Sequence, residues 1–259
     1  MSIRPPHQSV RPSPIFLAVV AVTAVGGVLA WMAASAFEPL AYVGVFTFVI
    51  AGWIVSLCLH EFGHAVTAWR FGDHDVAVRG YLTLNPLKYA NPLLSLGFPV
   101  LITLLGGIGL PGGAVWVRTS FMTDRQKTIV SLAGPMMNVA LAVVLLVLTR
   151  LFYDPAHVVF WAAMAFLGFL QITGAVLNLL PIPGLDGYGA LEPHLSQETR
   201  RALEPAKQWA FFIFLFLLIA TPLNRYFFAV VGWFFDLSGV NSGLIGTGFS
   251  LTRFWSAWM

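Results

Sequence analysis

Charge is scarce in this 259-residue chain: 10% of its residues are Asp, Glu, Lys or Arg, against 58% hydrophobic. With so few charged side chains and a mean hydropathy of +0.81, an ordinary soluble domain is excluded. The apolar runs are continuous rather than alternating, which argues against a transmembrane barrel. One cysteine, Cys58, rules out an internal disulfide. It lies two residues before His60, on another side of the same helix, and reads as helix packing. The net charge is only +3 and the basic residues sit between apolar runs, so they report membrane orientation rather than nucleic-acid binding. No internal repeat or low-complexity segment stands out.

What remains is a series of long apolar runs. The composition predicts an all-α polytopic membrane protein of about six transmembrane helices. It forms a single membrane-embedded domain over 1–259, with a core at about 40–190 and C-terminal helices at about 206–259. A basic, proline-containing tail precedes an apolar run from Pro14 to Phe37. Together with Ala34-Ser35-Ala36 the tail and run also look like a secretory signal, but the run continues through Trp31 and Met32, which favours an uncleaved first helix. The tail then lies in the cytoplasm of a multi-pass cell-membrane protein. A second span runs inward from Leu40 to about Trp69, followed by Arg70, Arg79 and Lys88, partly offset by Asp73 and Asp75.

Leu93 to Leu110 is apolar too, but Gly97, Pro99, Gly106, Gly107 and Gly109 fill it with helix breakers, and Pro111, Gly112 and Gly113 follow. A single crossing there would also carry Arg118, Arg125 and Lys127 to the outer side. The expectation is a Gly-rich re-entrant or β-hairpin segment between the second and third spans, walling the site. The third span is Ile129 to Phe152, with Gly134 allowing close helix approach and Asn138 one turn on. The fourth, Val158 to Leu180, is stopped by Pro181 and Pro183. Gln208 to Phe235 is one kinked span or two helices, broken around Thr221-Pro222. The tail from Leu237 reads as interfacial or a partial span.

Inside the second span lies His60-Glu61-Phe62-Gly63-His64. Residues four apart share a helix face, so the two imidazoles can meet one zinc ion, while Glu61, about 100° round, is placed to reach a water on it. Val43 to Leu59 holds no charged residue, and titratable groups at membrane depth are costly enough to imply a function. Two imidazoles make a poor site alone, so a third ligand is required. Counting crossings places Asp186, carried past the proline-stopped fourth span, on the same side of the membrane as the His pair. It is the candidate ligand, and its other reading is a loop or cap carboxylate before Gly187. Asn138 reads either as an interhelical hydrogen bond or as a lining of the catalytic cavity. Asn178 reads as a substrate-backbone or oxyanion contact, or as a cap on its own broken helix.

With these residues in place, the chain resembles the site-2 protease family of intramembrane zinc metalloproteases. The resemblance rests on His60-Glu61-Phe62-Gly63-His64, on Gly134-Pro135 with Asn138, and on Asn178, Pro181 and Leu185-Asp186-Gly187, in that order. It implies His60, His64 and Asp186 as ligands of one zinc per chain, and Glu61 as general base. It also implies cleavage of a transmembrane protein substrate in the bilayer near the cytoplasmic side, in regulated intramembrane proteolysis. The chain looks like a compact member, without room for a PDZ insertion or a CBS pair. Two other classes stay open: a proteolytically inactive zinc-binding membrane protein, and a metal transporter. An accessory regulator and a homo-oligomer are left open as well.

Overall fold

The computed structural model describes residues 10–36, 38–89 and 116–253. Among these residues the elements are helical, with no strand. The chain forms α1 (Pro14–Met32), α2 (Pro39–Arg70), the short α3 (Asp75–Val78) and α4 (Pro86–Tyr89), α5 (Asp124–Phe152) and α6 (Val158–Asn178). There follow α7 (Asp186–Leu191), α8 (Gln197–Leu203), α9 (Lys207–Ala220), α10 (Leu223–Asp236) and α11 (Gly243–Thr252). Four helices, α1, α2, α5 and α6, are long and apolar enough to cross a membrane, and there are five spans if the pair α9–α10, bent by 87°, counts as one. The expected Gly-rich hairpin falls on 90–115, outside the described residues.

Local chemistry sets the helix ends. Ser13 caps α1, its Oγ accepting from Phe16 N at 3.1 Å, with Pro14 in the first turn. Gly72, at φ 102°, turns the chain out of α2, and Asp73 N–H reaches back to the Ala68 carbonyl at 3.0 Å. α5 begins at Asp124, five residues before the expected Ile129, because Thr123 and Gln126 form a reciprocal capping box. The break between α9 and α10 comes at Thr221-Pro222, inside the interruption read from the sequence.

The four long helices alternate in direction. An added Cβ on Gly26 would stand 2.5 Å from Phe48 N, and one on Gly44 2.5 Å from Ala30 N, so α1 and α2 run antiparallel with their backbones in contact. His60 pairs with Asn138 and His64 with Val130, which makes α5 antiparallel to α2. Gly168 of α6 packs on Leu146 of α5, while Gln171 meets Asn138, so that pair is antiparallel too. The end of α1, the start of α2, the end of α5 and the start of α6 therefore share one end of the bundle, where His157 stacks on Trp31 with ring centroids 3.6 Å apart. The start of α1, the end of α2, the start of α5 and the end of α6 share the other. Ser13 N–H, for example, donates to the Thr83 carbonyl there at 2.8 Å. α11, ten residues long, does not reach across; Gly248 lets it lie against Ala162 and Phe166 of α6.

The α1–α2 contact leaves no volume at Gly44. Gly44→Val forces the helices apart at a cost of about 1–3 kcal/mol, and should lower the thermal midpoint in detergent by roughly 2–12 °C. An unchanged midpoint contradicts the backbone contact.

Candidate metal centre

The site is assembled at the end of the bundle where α2 leaves, α5 enters and α6 stops. His60 and His64 lie on the inner face of α2, both buried, with their Nε2 atoms 3.1 Å apart. Each ring is held from behind by an acceptor. His60 Nδ1 is 2.6 Å from Asn138 Oδ1, and His64 Nδ1 is 2.8 Å from the Val130 carbonyl. Both partners accept, so both Nδ1 atoms donate and both Nε2 lone pairs turn toward a common point.

Asp186 arrives from the other side. After Asn178 the chain passes Pro181 and Pro183 in tight turns, Ile182 N–H donating to the Leu180 carbonyl at 2.8 Å and Leu185 N–H to the Ile182 carbonyl at 2.9 Å, with Gly184 at φ 98°. α7 then folds back against the end of α6, and Gly187 makes this possible, since a Cβ there would stand 2.5 Å from the Leu180 carbonyl oxygen. Thr128 Oγ donates to the Ala190 carbonyl at 2.9 Å, tying α7 to α5. Asp186 Oδ2 comes to 3.2 Å from His60 Nε2 and Oδ1 to 3.4 Å from His64 Nε2.

These three side chains fit a zinc ion. Nitrogen and oxygen ligands at roughly 2.0–2.1 Å from a tetrahedral ion stand roughly 3.3 Å from one another. The separations here are 3.1, 3.2 and 3.4 Å. Gly134 of α5 lies directly over the pair: an added Cβ would be 2.7 Å from His60 Nε2 and closer still to His64 Nε2. The point on which the donors converge is free only because residue 134 has no side chain. Read from the sequence, Gly134 was a helix-packing glycine; its neighbours are the imidazoles.

A cavity of about 250 Å³ opens beside the donors, lined by Glu61, Ser131, Asn178 and Val117 among others. Glu61 is buried and borders this cavity, one residue from His60. Pro135 lacks the N–H that would bond to the Ser131 carbonyl, which loosens the α5 backbone at the cavity wall. Val117 and Thr119 bring a non-helical stretch to the rim. It is anchored by Asp73, whose buried carboxylate accepts from Arg118 N–H at 2.7 Å. From the sequence Asp73 counted only as a loop charge.

The profile of peptidase family M50 matches residues 48–155. Rip2 of Mycolicibacterium smegmatis, named as a candidate zinc metalloprotease, is 71% identical over 258 residues, covering 100% of both chains. Rip2 of Mycobacterium tuberculosis is 66% identical over 252 residues, 97% of each. The chain belongs to peptidase family M50. YwhC of Bacillus subtilis, also named as a candidate zinc metalloprotease, is 33% identical over 187 residues, 69% of this chain and 83% of its own. No solved structure matches. The site-2 protease resemblance stands. The M50 match spans the His pair, Gly134 and Asn138, whereas Asp186 and Asn178 lie beyond it and are placed by the fold.

Of the residues singled out in the sequence, His60, His64 and Asp186 converge and Glu61 and Asn178 border the same cavity. Asn138 lies behind His60, with Oδ1 toward that ring and Nδ2 donating to Gln171 at 2.8 Å. Gln171 and Ser56 escaped the sequence reading; the available signal was the Gln171 amide in the middle of the apolar run of α6.

Gly134→Ala puts a methyl group on the convergence point. The variant is expected to fold yet to keep less than about a tenth of the wild-type zinc affinity, as measured by competition with a chelator. Undiminished affinity contradicts this placement of Gly134.

Proposed function

We propose that this M50 chain uses His60, His64 and Asp186 to hold one zinc ion and hydrolyses a peptide bond in or near the transmembrane segment of a membrane-protein substrate. The observation that carries the reading is the convergence of three donors from two separate segments at 3.1–3.4 Å, with Glu61 bordering the same cavity. Zinc, when bound, acts as a Lewis acid on a peptide carbonyl and brings the pKa of a water close to neutrality. Glu61 takes the proton of the attacking water and later gives it to the leaving amine. His60 and His64 hold their Nδ1 protons on Asn138 and Val130 throughout, which keeps Nε2 available. Asn178, at the cavity wall, is free to bind the substrate main chain or the developing oxyanion. Asn138 we assign to holding His60 instead of touching substrate, since both ends of its amide face protein groups.

The finer topology belongs to the same proposal. α2 and α5 are antiparallel, so the connection between them starts and finishes at one end of the bundle, which supports a re-entrant segment over a single crossing. An extended substrate would then lie along the rim at Val117 and Thr119. The tail before α1 and the metal end of the bundle face the cytoplasm, where Arg70, Arg79, Lys88, Arg200, Arg201 and Lys207 gather, and the span count is about six. A transport path is disfavoured: among the described residues, no second group of three His, Cys, Asp or Glu side chains could hold a metal.

Glu61→Gln should keep about one zinc per chain and lose roughly 10²–10⁴-fold in the release of a reporter fused to a single-span substrate in vesicles. Cleavage at the normal rate removes Glu61 as the base. Asp186→Ala should lose zinc, and full metal content in that variant removes Asp186 from the ligand set.

A further inference from the structure

His64 leans on a backbone carbonyl, which cannot turn round. His60 leans on the Asn138 side chain, whose two ends can exchange places by a rotation. If they did, an NH₂ group would face Nδ1 and drive the imidazole proton to Nε2, where it would block the metal.

The structure holds this amide in one sense. Ser56 of α2, Asn138 of α5 and Gln171 of α6 are all buried in nearly apolar stretches. Ser56 Oγ donates to the Trp53 carbonyl at 2.7 Å. A carbonyl only accepts, so the single Ser56 proton is committed there and its oxygen is left to accept. Gln171 Nε2 donates to it at 3.0 Å, which turns the Gln171 oxygen toward Asn138. Asn138 Nδ2 donates to that oxygen at 2.8 Å, which turns the Asn138 oxygen toward His60. His60 Nδ1, 2.6 Å away, must then carry the proton. Reversing either amide alone would bring two NH₂ groups or two oxygens face to face and lose the Asn138–Gln171 hydrogen bond. The direction is set at the Trp53 carbonyl and passed along three side chains.

We infer that Gln171 and Ser56 are positioning residues of the metal centre. Acting through Asn138, they fix the tautomer of His60 and so present its Nε2 lone pair to the ion. The inference rests on the zinc reading above.

The test compares purified wild type with Gln171→Met, Gln171→Glu and Ser56→Ala, measuring zinc affinity by chelator competition and the thermal midpoint of each zinc-free protein. Gln171→Met removes the acceptor and should raise the zinc dissociation constant about 10–100-fold. Ser56→Ala frees Gln171 to turn and should give a smaller rise in the same direction. Gln171→Glu, ionised or not, still offers Asn138 an oxygen and should bind zinc as the wild type does or more tightly. A residue that only packs the helices would lower the midpoints and leave affinity alone. Wild-type affinity in folded Gln171→Met and Ser56→Ala overturns the inference, as does a Gln171→Glu as weak as Gln171→Met. Should Gln171→Met not fold, Ser56→Ala, which loses one hydroxyl, decides the matter by the same criterion. Wild type without zinc, or with zinc retained in His64→Ala, overturns the metal reading itself rather than the relay.

Discussion

A polar atom deep in an apolar helix bundle has no water to turn to, and each one must be answered by another protein group. That constraint shapes the centre of this molecule. Two imidazoles, a carboxylate, two amides and a hydroxyl lie together among Val, Leu, Ala and Phe side chains, and their hydrogen bonds leave few choices open. His64 is answered by the Val130 carbonyl and His60 by Asn138. What is left over, the Nε2 lone pairs and the Asp186 carboxylate, points at one place.

The same constraint explains the backbone. The helices carrying the donors must approach closely, because imidazoles are short. Glycine supplies that approach at Gly134 over the His pair and at Gly187 where α7 returns to the end of α6. The prolines after α6 end the helix early enough for Asp186 to swing back instead of continuing into the bundle end. Fold and site are in this sense a single problem of spacing.

Much of this could be read from the residues alone. The four long apolar runs appear as α1, α2, α5 and α6, and His60, His64 and Asp186 do meet. They were legible because charge is so rare here that a titratable group inside an apolar run stands out. Gly134, Gln171 and Ser56 were not legible in their actual places, since a small or singly polar residue in a span says nothing of which helix it faces. That information exists only once α2, α5 and α6 are packed. The start of α5 was misplaced by five residues because the apolar run was followed rather than the Thr123 capping box. Asp73 reads as a loop charge and is a buried anchor for the non-helical stretch at the rim.

X-ray absorption at the zinc edge, on protein purified without added metal, tests the account most directly. The account predicts about one zinc per chain with only nitrogen and oxygen neighbours at roughly 2.0–2.1 Å, and the multiple-scattering signature of two imidazoles. A sulfur neighbour, a single imidazole or an absence of zinc would contradict it.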